Sequence, residues 1–418
     1  MNLEEPMGNA KPSRAVADGS LPDGLFPDWS LEDLLGRKQE HPAQELLREH
    51  IQGKVVMVTG AAGSIGSELC RQIAGFNPLA LVGFDQAETA LFQLESELTQ
   101  KSPGQVFHSE IGSIGRLGDV TRTIEQYRPS IVFHAAAYKH IPMLEKNVLA
   151  AVDNNIFGTW HVAQAAASHG VESFILISTD KAVCPASVMG ATKRVAELSI
   201  RALNKESDTK FVAVRLGNVL GSSGSVVPIF KRQIAEGGPV TVTHPDMRRY
   251  FMTAPEAGQL VLYALAMGKG GEIFVLDMGE PLGILDLARN LILLSGMQPD
   301  RNIQIEFTGV RPGEKLVEEL HNQDEQPVAT SHSGIYNLSY SDDFEPTQLA
   351  AFLEELKEAV SEHDALRIIL LLKQLVSDYI PSSQVIQHAM SLQKSRGITD
   401  DIQAASTRSI EPALAASK

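Results

Sequence analysis

From about residue 50 the sequence predicts an α/β fold: a doubly wound parallel sheet with a smaller α/β unit interleaved into it. Two observations carry this. Short β-branched runs alternate with helical patterns, the mark of parallel βαβ units. The first of these runs, Lys54-VVMVT, passes straight into Gly60-Ala61-Ala62-Gly63-Ser64-Ile65-Gly66 and then into the helical stretch SELCRQIAGF.

Glycines at a strand-to-helix turn allow a tight bend and close approach of a ligand to the backbone. The free amides at the helix start, around Gly63, Ser64, Ile65 and Gly66, can meet a diphosphate. The next strand, ALVGFD, places Asp85 where a carboxylate accepts the hydroxyls of an adenosine ribose and repels a 2′-phosphate, so NAD is expected in preference to NADP. Together these features predict a Rossmann-type nucleotide-binding half over 51–217, with 247–280 returning to it. Asp119 and Val120, at a helix start, are expected against the adenine. The strand SIVFHAAA ends in Ala135, Ala136 and Ala137, small enough for a cofactor to lie along the backbone. His134 reads as a packed or hydrogen-bonded histidine. Lys139 and His140 follow the carboxyl end of that strand, in the crevice where doubly wound folds bind ligands.

The strand FILIST delivers Ser178, Thr179, Asp180 and Lys181 to the same edge. Side chains alternate along a strand, so Thr179 and Lys181 would face away from Asp180 unless the strand breaks at Thr179. The Pro and small residues of 182–188 predict that break, which turns Asp180 and Lys181 toward one substrate. A glycine-rich loop carrying Asn218, Ser222, Ser223 and Ser225 opens the substrate-binding unit, expected over 218–246 and 281–342. Before these units, 1–50 reads as a leader ending in one amphipathic helix within LEDLLGRKQEHPAQELLREHI. After them, 343–380 reads as two helices and 381–418 as a mobile tail.

The chain has 418 residues, with 36 basic against 51 acidic side chains and a net charge of −15, which argues against nucleic acid as the main partner. Two cysteines, Cys70 and Cys184, provide no disulfide framework and fit a reducing cytoplasm. No apolar run is long enough for a membrane span, no metal-ligand cluster stands out, and a soluble chain is expected. The apolar faces of the terminal helices predict a homo-oligomer.

Several runs in order, TGAAGSIGSEL, FHAAAYKHIPMLE, STDKAV, MGATKR, RLGNVLGSSGSV, TVTHPDMRRYFMT, GEIFVLDMG and GVRPGEKL, resemble the nucleotide-sugar 4,6-dehydratases of the extended short-chain dehydrogenase/reductase superfamily. The similarity is to the bacterial polysaccharide-biosynthesis group acting on UDP-N-acetylglucosamine. Such enzymes usually carry a proton-moving Tyr four residues before the Lys that matches Lys193. Here that position is Met189, and a thioether cannot move a proton. The resemblance therefore places the chain in the Met-containing branch that retains the C5 configuration, and it shifts proton transfer to Thr179, Asp180 and Lys181.

On that basis Thr179 takes the proton of the 4-hydroxyl, Lys181 is the C5 base, and Asp180, kept protonated by burial, is the acid at the C6 hydroxyl. The last two roles can be exchanged without contradicting the sequence. To act as a base Lys181 must be neutral part of the time, which desolvation and nearby Lys193 favour. Lys193 holds the nicotinamide ribose, and Met189 is an apolar wall. The resemblance also implies that Asn218, Arg249 and Arg311 meet the diphosphate, Glu314 the ribose, and the segment from Val226 the uridine. Cys184 departs from the Asn common in the group, which bears on the hydrogen bonding of its loop. Long members carry transmembrane helices before a linker resembling LEDLLGR, so the chain is either a soluble form or the cytoplasmic region of an anchored one. A UDP-sugar 4-epimerase and a non-catalytic nucleotide-sugar or NAD-binding protein are the alternative readings. The first needs no acid/base pair at C5 and C6, and the second predicts loss of the polar residues that remain here.

Overall fold

The computed structural model describes residues 44–339 and 345–395. Of the leader expected over 1–50 and the tail expected over 381–418, residues 1–43 and 396–418 lie outside the described residues. Of the amphipathic helix expected before residue 51, Gln44–Ile51 is described and helical, with Leu47 and Ile51 buried.

The main sheet has nine strands. Across it run Gln326–Ala329, Ile335–Ser339, Ile273–Leu276, Lys210–Leu216, Ser173–Thr179, Ile131–His134, Val55–Thr59, Ala80–Asp85 and Phe107–Ile111. From Ile273–Leu276 to Phe107–Ile111 every neighbouring pair is parallel. The strands are apolar because both faces are covered: in Val55–Thr59 the residues from Val56 onward are all buried. After the edge strand Phe107–Ile111 the chain returns to pair Ile131–His134 with Val55–Thr59. The order of strands reverses there, and the crevice at the carboxyl ends of those two strands is where such sheets take ligands.

The interleaved unit is built from three short strand pairs. Val240–Val242 pairs with Ile305–Phe307, Arg248–Arg249 with Leu282–Gly283, and Asn218–Val219 with Phe251–Met252. Helices Val226–Ala235 and Ile284–Leu294 enclose its core around Phe230, Ile234 and Leu291. The expected end of this unit at 342 needs correction. Gln326–Ala329 and Ile335–Ser339 form a hairpin that extends the large sheet antiparallel to Ile273–Leu276. Alternation explains it, since Ile335 and Leu338 point into the cores on opposite faces of that sheet.

The two expected carboxyl-terminal helices are Pro346–Ser361 and Ala365–Leu375. A third, Ser383–Ser395, occupies part of the stretch expected to be an irregular tail. Its Val385 and Ala389 are buried against Leu372 and Tyr379, so tertiary burial stabilises a sequence of weak intrinsic signal. This apolar cluster also receives Val188, Met189, Ala191 and Val195 from the long helix Val188–Glu206, which borders the ligand crevice.

Beneath that crevice four charged side chains are buried together. Arg215 is fully buried and grips Glu197 through Nε and Nη2 at 2.9 and 2.8 Å, and Glu325 through Nη1 and Nη2 at 2.6 and 2.9 Å. Arg194 Nη1 reaches the same two carboxylates at 3.1 and 3.0 Å. Burial would raise the Glu197 carboxyl, but Arg215 and Arg194 hold it down at about 2. Such a cluster need not outperform a hydrophobic replacement, yet removing one member strands the others. Glu325→Gln is therefore expected to cost about 3–5 kcal/mol in urea unfolding at neutral pH. Because folding depresses Glu197 below its ordinary 4.5, its contribution is present above that value and is lost as pH falls toward about 2.

Candidate active site

At the first strand-to-helix turn Gly60 has φ +68°, and a Cβ there would sit 2.6 Å from the amide nitrogen of Ala136. A Cβ on Gly66 would overlap the carbonyl oxygen of Gly60. Only glycines let the turn, the helix Ser64–Ala74 and the small-residue segment Ala135–Ala137 meet this closely. Gly63 caps the helix with no side-chain hydrogen bond, so no cap side chain occupies those amides. Asp85 accepts from the amides of Ala62 and Ala87, both at 2.9 Å, through different oxygens. Each oxygen keeps a second lone pair for an incoming hydroxyl. Asp119 braces the same rim by accepting from the Ser113 amide at 3.2 Å, and Val120 is buried behind it. This cradle fits a dinucleotide.

The strand Ser173–Thr179 ends at Thr179, and Asp180–Ala182 form a single 3₁₀ turn. The break expected from sequence thus brings three side chains into one hydrogen-bonded chain. Thr179 Oγ1 donates to Asp180 Oδ1 at 2.8 Å, and Lys181 Nζ donates to the same oxygen at 2.9 Å and to Asn218 Oδ1 at 2.8 Å. Asp180 Oδ1 thus accepts from both neighbours of the turn. Asp180 Oδ2 is buried and meets no hydrogen-bond donor among the described residues. Lys181 is 16% exposed while the Asp180 side chain is 0% exposed, so Lys181 is the member that reaches the crevice.

The helix Val188–Glu206 fixes this turn from the other side. A Cβ on Gly190 would overlap the carbonyl oxygen of Lys181, which explains a glycine directly after Met189. Met189 itself is buried in the apolar cluster of the terminal helices. Lys193 Nζ donates to the Ile177 carbonyl at 2.8 Å, and burial pulls its ammonium down to about 8, with Glu197 opposing the shift. His134 is buried between Thr59 and Thr159, and burial, aided by Lys193, lowers it to about 3. It is a structural, neutral histidine, as the sequence indicates.

On the far wall the loop after Asn218 crosses the crevice. The Ser223 amide donates to Ser64 Oγ at 3.1 Å, joining the loop to the glycine turn. Gly224, at φ +69°, passes so close to exposed His140 that a Cβ would lie 2.6 Å from its ring. Lys139 is exposed next to it, and Ser222 lies in the same loop. Ser225 precedes the helix that begins at Val226, and its buried Oγ lacks a partner among the described residues. Arg249 turns inward, donating to the carbonyls of Arg248 and Leu316 at 2.7 and 3.1 Å, with Glu318 at 3.8 Å. Arg311 is exposed and 3.9 Å from Glu314.

Three features went unread in the sequence. Asn155 clamps both the amide and the carbonyl of Tyr138 at 2.8 and 3.0 Å and also reaches Thr192, tying the crevice to the long helix. Glu318 is a buried carboxyl beside Arg249. Asn322 accepts from the amide of Cys184 at 3.0 Å and from its thiol at 3.3 Å. Cys184 stands at φ 38°, a left-handed conformation that Asn tolerates well, which accounts for Asn as the commoner residue there. Burial pushes its thiol up to about 11, so it is unreactive at neutral pH. Only the neighbouring GEKL-type run in the sequence pointed to this region.

A doubly wound sheet with this glycine turn, Lys193 on the helix Val188–Glu206 and an interleaved second unit defines an extended short-chain dehydrogenase/reductase fold. The chain belongs to the family described as "Polysaccharide biosynthesis protein", which matches residues 56–340. It is 54% identical over 308 residues to the probable polysaccharide biosynthesis protein EpsC of Bacillus subtilis, covering 73% of this chain and 51% of EpsC. It is 46% identical over 355 residues to the capsular polysaccharide biosynthesis protein CapD of Staphylococcus aureus, covering 84% of this chain and 59% of CapD. The chain thus spans little more than half the length of these curated relatives. Among solved structures, Pen from Bacillus thuringiensis is 34% identical with a TM-score of 0.65, covering 71% of this chain and 89% of Pen. Among the described residues no helix is long and apolar enough to cross a membrane.

Lys193 gives the site a signature in stability. Its ordinary value of 10.5 falls to about 8 on folding, so the folded protein resists charging it. The resulting penalty is complete below pH 8 and disappears as pH rises to 10.5. Lys193→Met is expected to stabilise the fold at pH 7 by on the order of 1–3 kcal/mol, a gain that shrinks above pH 8 in urea denaturation.

Proposed function

We propose that the chain catalyses the NAD-dependent 4,6-dehydration of UDP-N-acetylglucosamine to a 4-keto-6-deoxy sugar with the C5 configuration retained, in the making of a bacterial surface polysaccharide. The observation that carries this reading is the hydrogen-bonded chain Thr179–Asp180–Lys181 at the crevice, beside a Met where a proton-moving Tyr would otherwise stand. An epimerase has no use for a second acid/base pair at C5 and C6, and a disabled binding protein has no use for the three groups aligned here.

Asp85 and the glycine turn would hold NAD, and Lys193 its nicotinamide ribose. Bound NAD supplies the acceptor for the C4 hydride and its return to C6. Thr179 receives the proton of the 4-hydroxyl while passing its own to Asp180, the acceptor it already contacts at 2.8 Å. Lys181, less buried than Asp180, removes the C5 proton made acidic by the new C4 ketone. Asp180 gives the proton it gained to the C6 hydroxyl, which leaves as water, and Lys181 then returns its proton to C5. The proton lost at C4 is thus the proton that completes the water, and Asp180 alternates between base and acid. Ser225, Arg311 and Glu314 are assigned to the UDP moiety, and Asn218 to both the diphosphate and Lys181. Arg249 is assigned to the diphosphate through the guanidinium atoms not held by carbonyls.

Incubation with UDP-N-acetylglucosamine is expected to yield a product lighter by one water, with an unchanged C5 centre in proton NMR. A product of unchanged mass would establish an epimerase, and no product would end the catalytic reading. Lys181→Met and Asp180→Asn are expected to lower turnover by about 10²- to 10⁴-fold while sparing UDP-sugar binding, whereas Met189→Leu costs little.

A further inference from the structure

Arg311 and Glu314 are assigned to the UDP moiety in the proposed function, a reading on which this inference rests, and both stand on one short turn. The Glu314 amide donates to the Arg311 carbonyl at 3.1 Å, with Pro312 second and Gly313 third at φ +76°, the pattern of a type II turn. After the turn the chain is tied down, since Lys315 Nζ donates to the Val183 carbonyl at 3.0 Å and the Leu316 carbonyl accepts from the Arg248 amide at 2.9 Å. Before it, every residue from 306 to 311 is exposed. The Arg311–Glu314 ion pair is 3.9 Å long, with Arg311 53% exposed. Such a pair fixes neither side chain, so their placement depends on what the turn's backbone rests upon.

It rests on Glu145. A Cβ on Gly313 would lie 2.8 Å from Ser187 Cβ and 3.1 Å from both the carboxyl carbon of Glu145 and Ile141 Cγ2, so the turn is pressed against these side chains. Ser187 caps the helix Val188–Glu206, accepting from the Gly190 amide at 3.1 Å. Glu145 is 5% exposed and has both carboxyl oxygens engaged. Oε1 accepts from the Val188 amide at 2.7 Å, and Oε2 accepts from the Ser382 hydroxyl at 3.1 Å. Ser382 Oγ in turn accepts from the Val385 amide at 3.2 Å, at the start of the helix Ser383–Ser395. The carboxylate therefore lies at the amino ends of two helices, where negative charge is favoured and free amides need acceptors.

We propose that Glu145 is a positioning residue for the nucleotide end of the substrate: by seating Gly313 against the start of the helix Val188–Glu206, it fixes where Arg311 and Glu314 meet the UDP moiety. Glu145 acts through the turn and does not touch the ligand. The same seat lets the carboxyl-terminal helices, through Ser382, support substrate binding from outside the crevice.

The signature is a loss of binding without a loss of chemistry. In Glu145→Ala, the affinity for UDP in calorimetry is expected to fall at least tenfold and KM for the UDP-sugar to rise to match. Turnover at saturation and retention of NAD are expected to hold within about twofold, because Ser187 still caps the helix and Lys193 keeps its bond to the Ile177 carbonyl. Glu145→Gln keeps an acceptor for Val188 and a partner for Ser382, and is expected to recover most of the affinity. Gly313→Ala pushes the turn off its seat from the other side and is expected to show the same split; it carries the test if Glu145→Ala does not fold. Wild-type UDP affinity in Glu145→Ala or Gly313→Ala overturns the proposal. So does a loss of NAD or turnover equal to the loss of UDP affinity, which would mark a general disturbance of the helix, or a Glu145→Gln no better than Glu145→Ala. If the wild-type protein does not bind UDP, the assignment of Arg311 and Glu314 fails instead, a result visible before any variant is made.

Discussion

The buried cluster of Arg194, Glu197, Arg215 and Glu325 is the constraint on which the active-site region depends. Its members come from the long helix, the neighbouring strand and the segment returning from the interleaved unit, and they are all withdrawn from water. Ser178, one residue before Thr179, donates to Glu197 at 2.6 Å, so the cluster grips the end of the strand Ser173–Thr179 directly. Glu325 also accepts from the Asn322 amide at 2.9 Å, and Asn322 holds the turn at Cys184. The stretch 178–184 is therefore pinned at both ends to one charged core. Paired charges in a low-dielectric interior tolerate little displacement, and that stiffness holds Thr179, Asp180 and Lys181 in one arrangement on the turn.

Replacing Tyr by Met follows from the same architecture. The helix carrying Met189 approaches the turn so closely that Gly190 leaves no room for a Cβ, and Met189 falls among the apolar residues of the terminal helices. A hydroxyl there would face hydrocarbon. On the turn, by contrast, Thr179, Asp180, Lys181 and Asn218 form a continuous hydrogen-bonded path, the one the proposed function uses. The terminal helices thus border the crevice as well as completing the fold, because they supply the apolar surroundings of Met189.

What could be read from sequence was what short segments decide. The strand passing into Gly60–Gly66, Asp85 at the end of the next strand and the break at Thr179 each follow from residue type within a few positions, and the structure has them as expected. What could not be read depends on residues far apart. Arg215 and Glu325 meet across 110 positions, and neither looks unlike an ordinary surface residue in its local context. The hairpin that rejoins the main sheet and the helix Ser383–Ser395 are stabilised by burial against distant partners, which local propensity does not record. Arg249 was expected against a diphosphate only through the family resemblance, and its inward turn was not legible, because its orientation is set by the carbonyl of Leu316 and by Glu318.

The account's central claim is that this turn moves a proton at C5 of a sugar and then puts one back on the same face. The most direct measurement is the reaction of UDP-N-acetylglucosamine in deuterium oxide, followed by NMR of the isolated product. A product that has lost the C6 hydroxyl and carries the original configuration at C5, with any deuterium at C5 on the original face, is the result the account predicts. A product with an inverted C5 centre, or one that keeps the C6 hydroxyl, would contradict it.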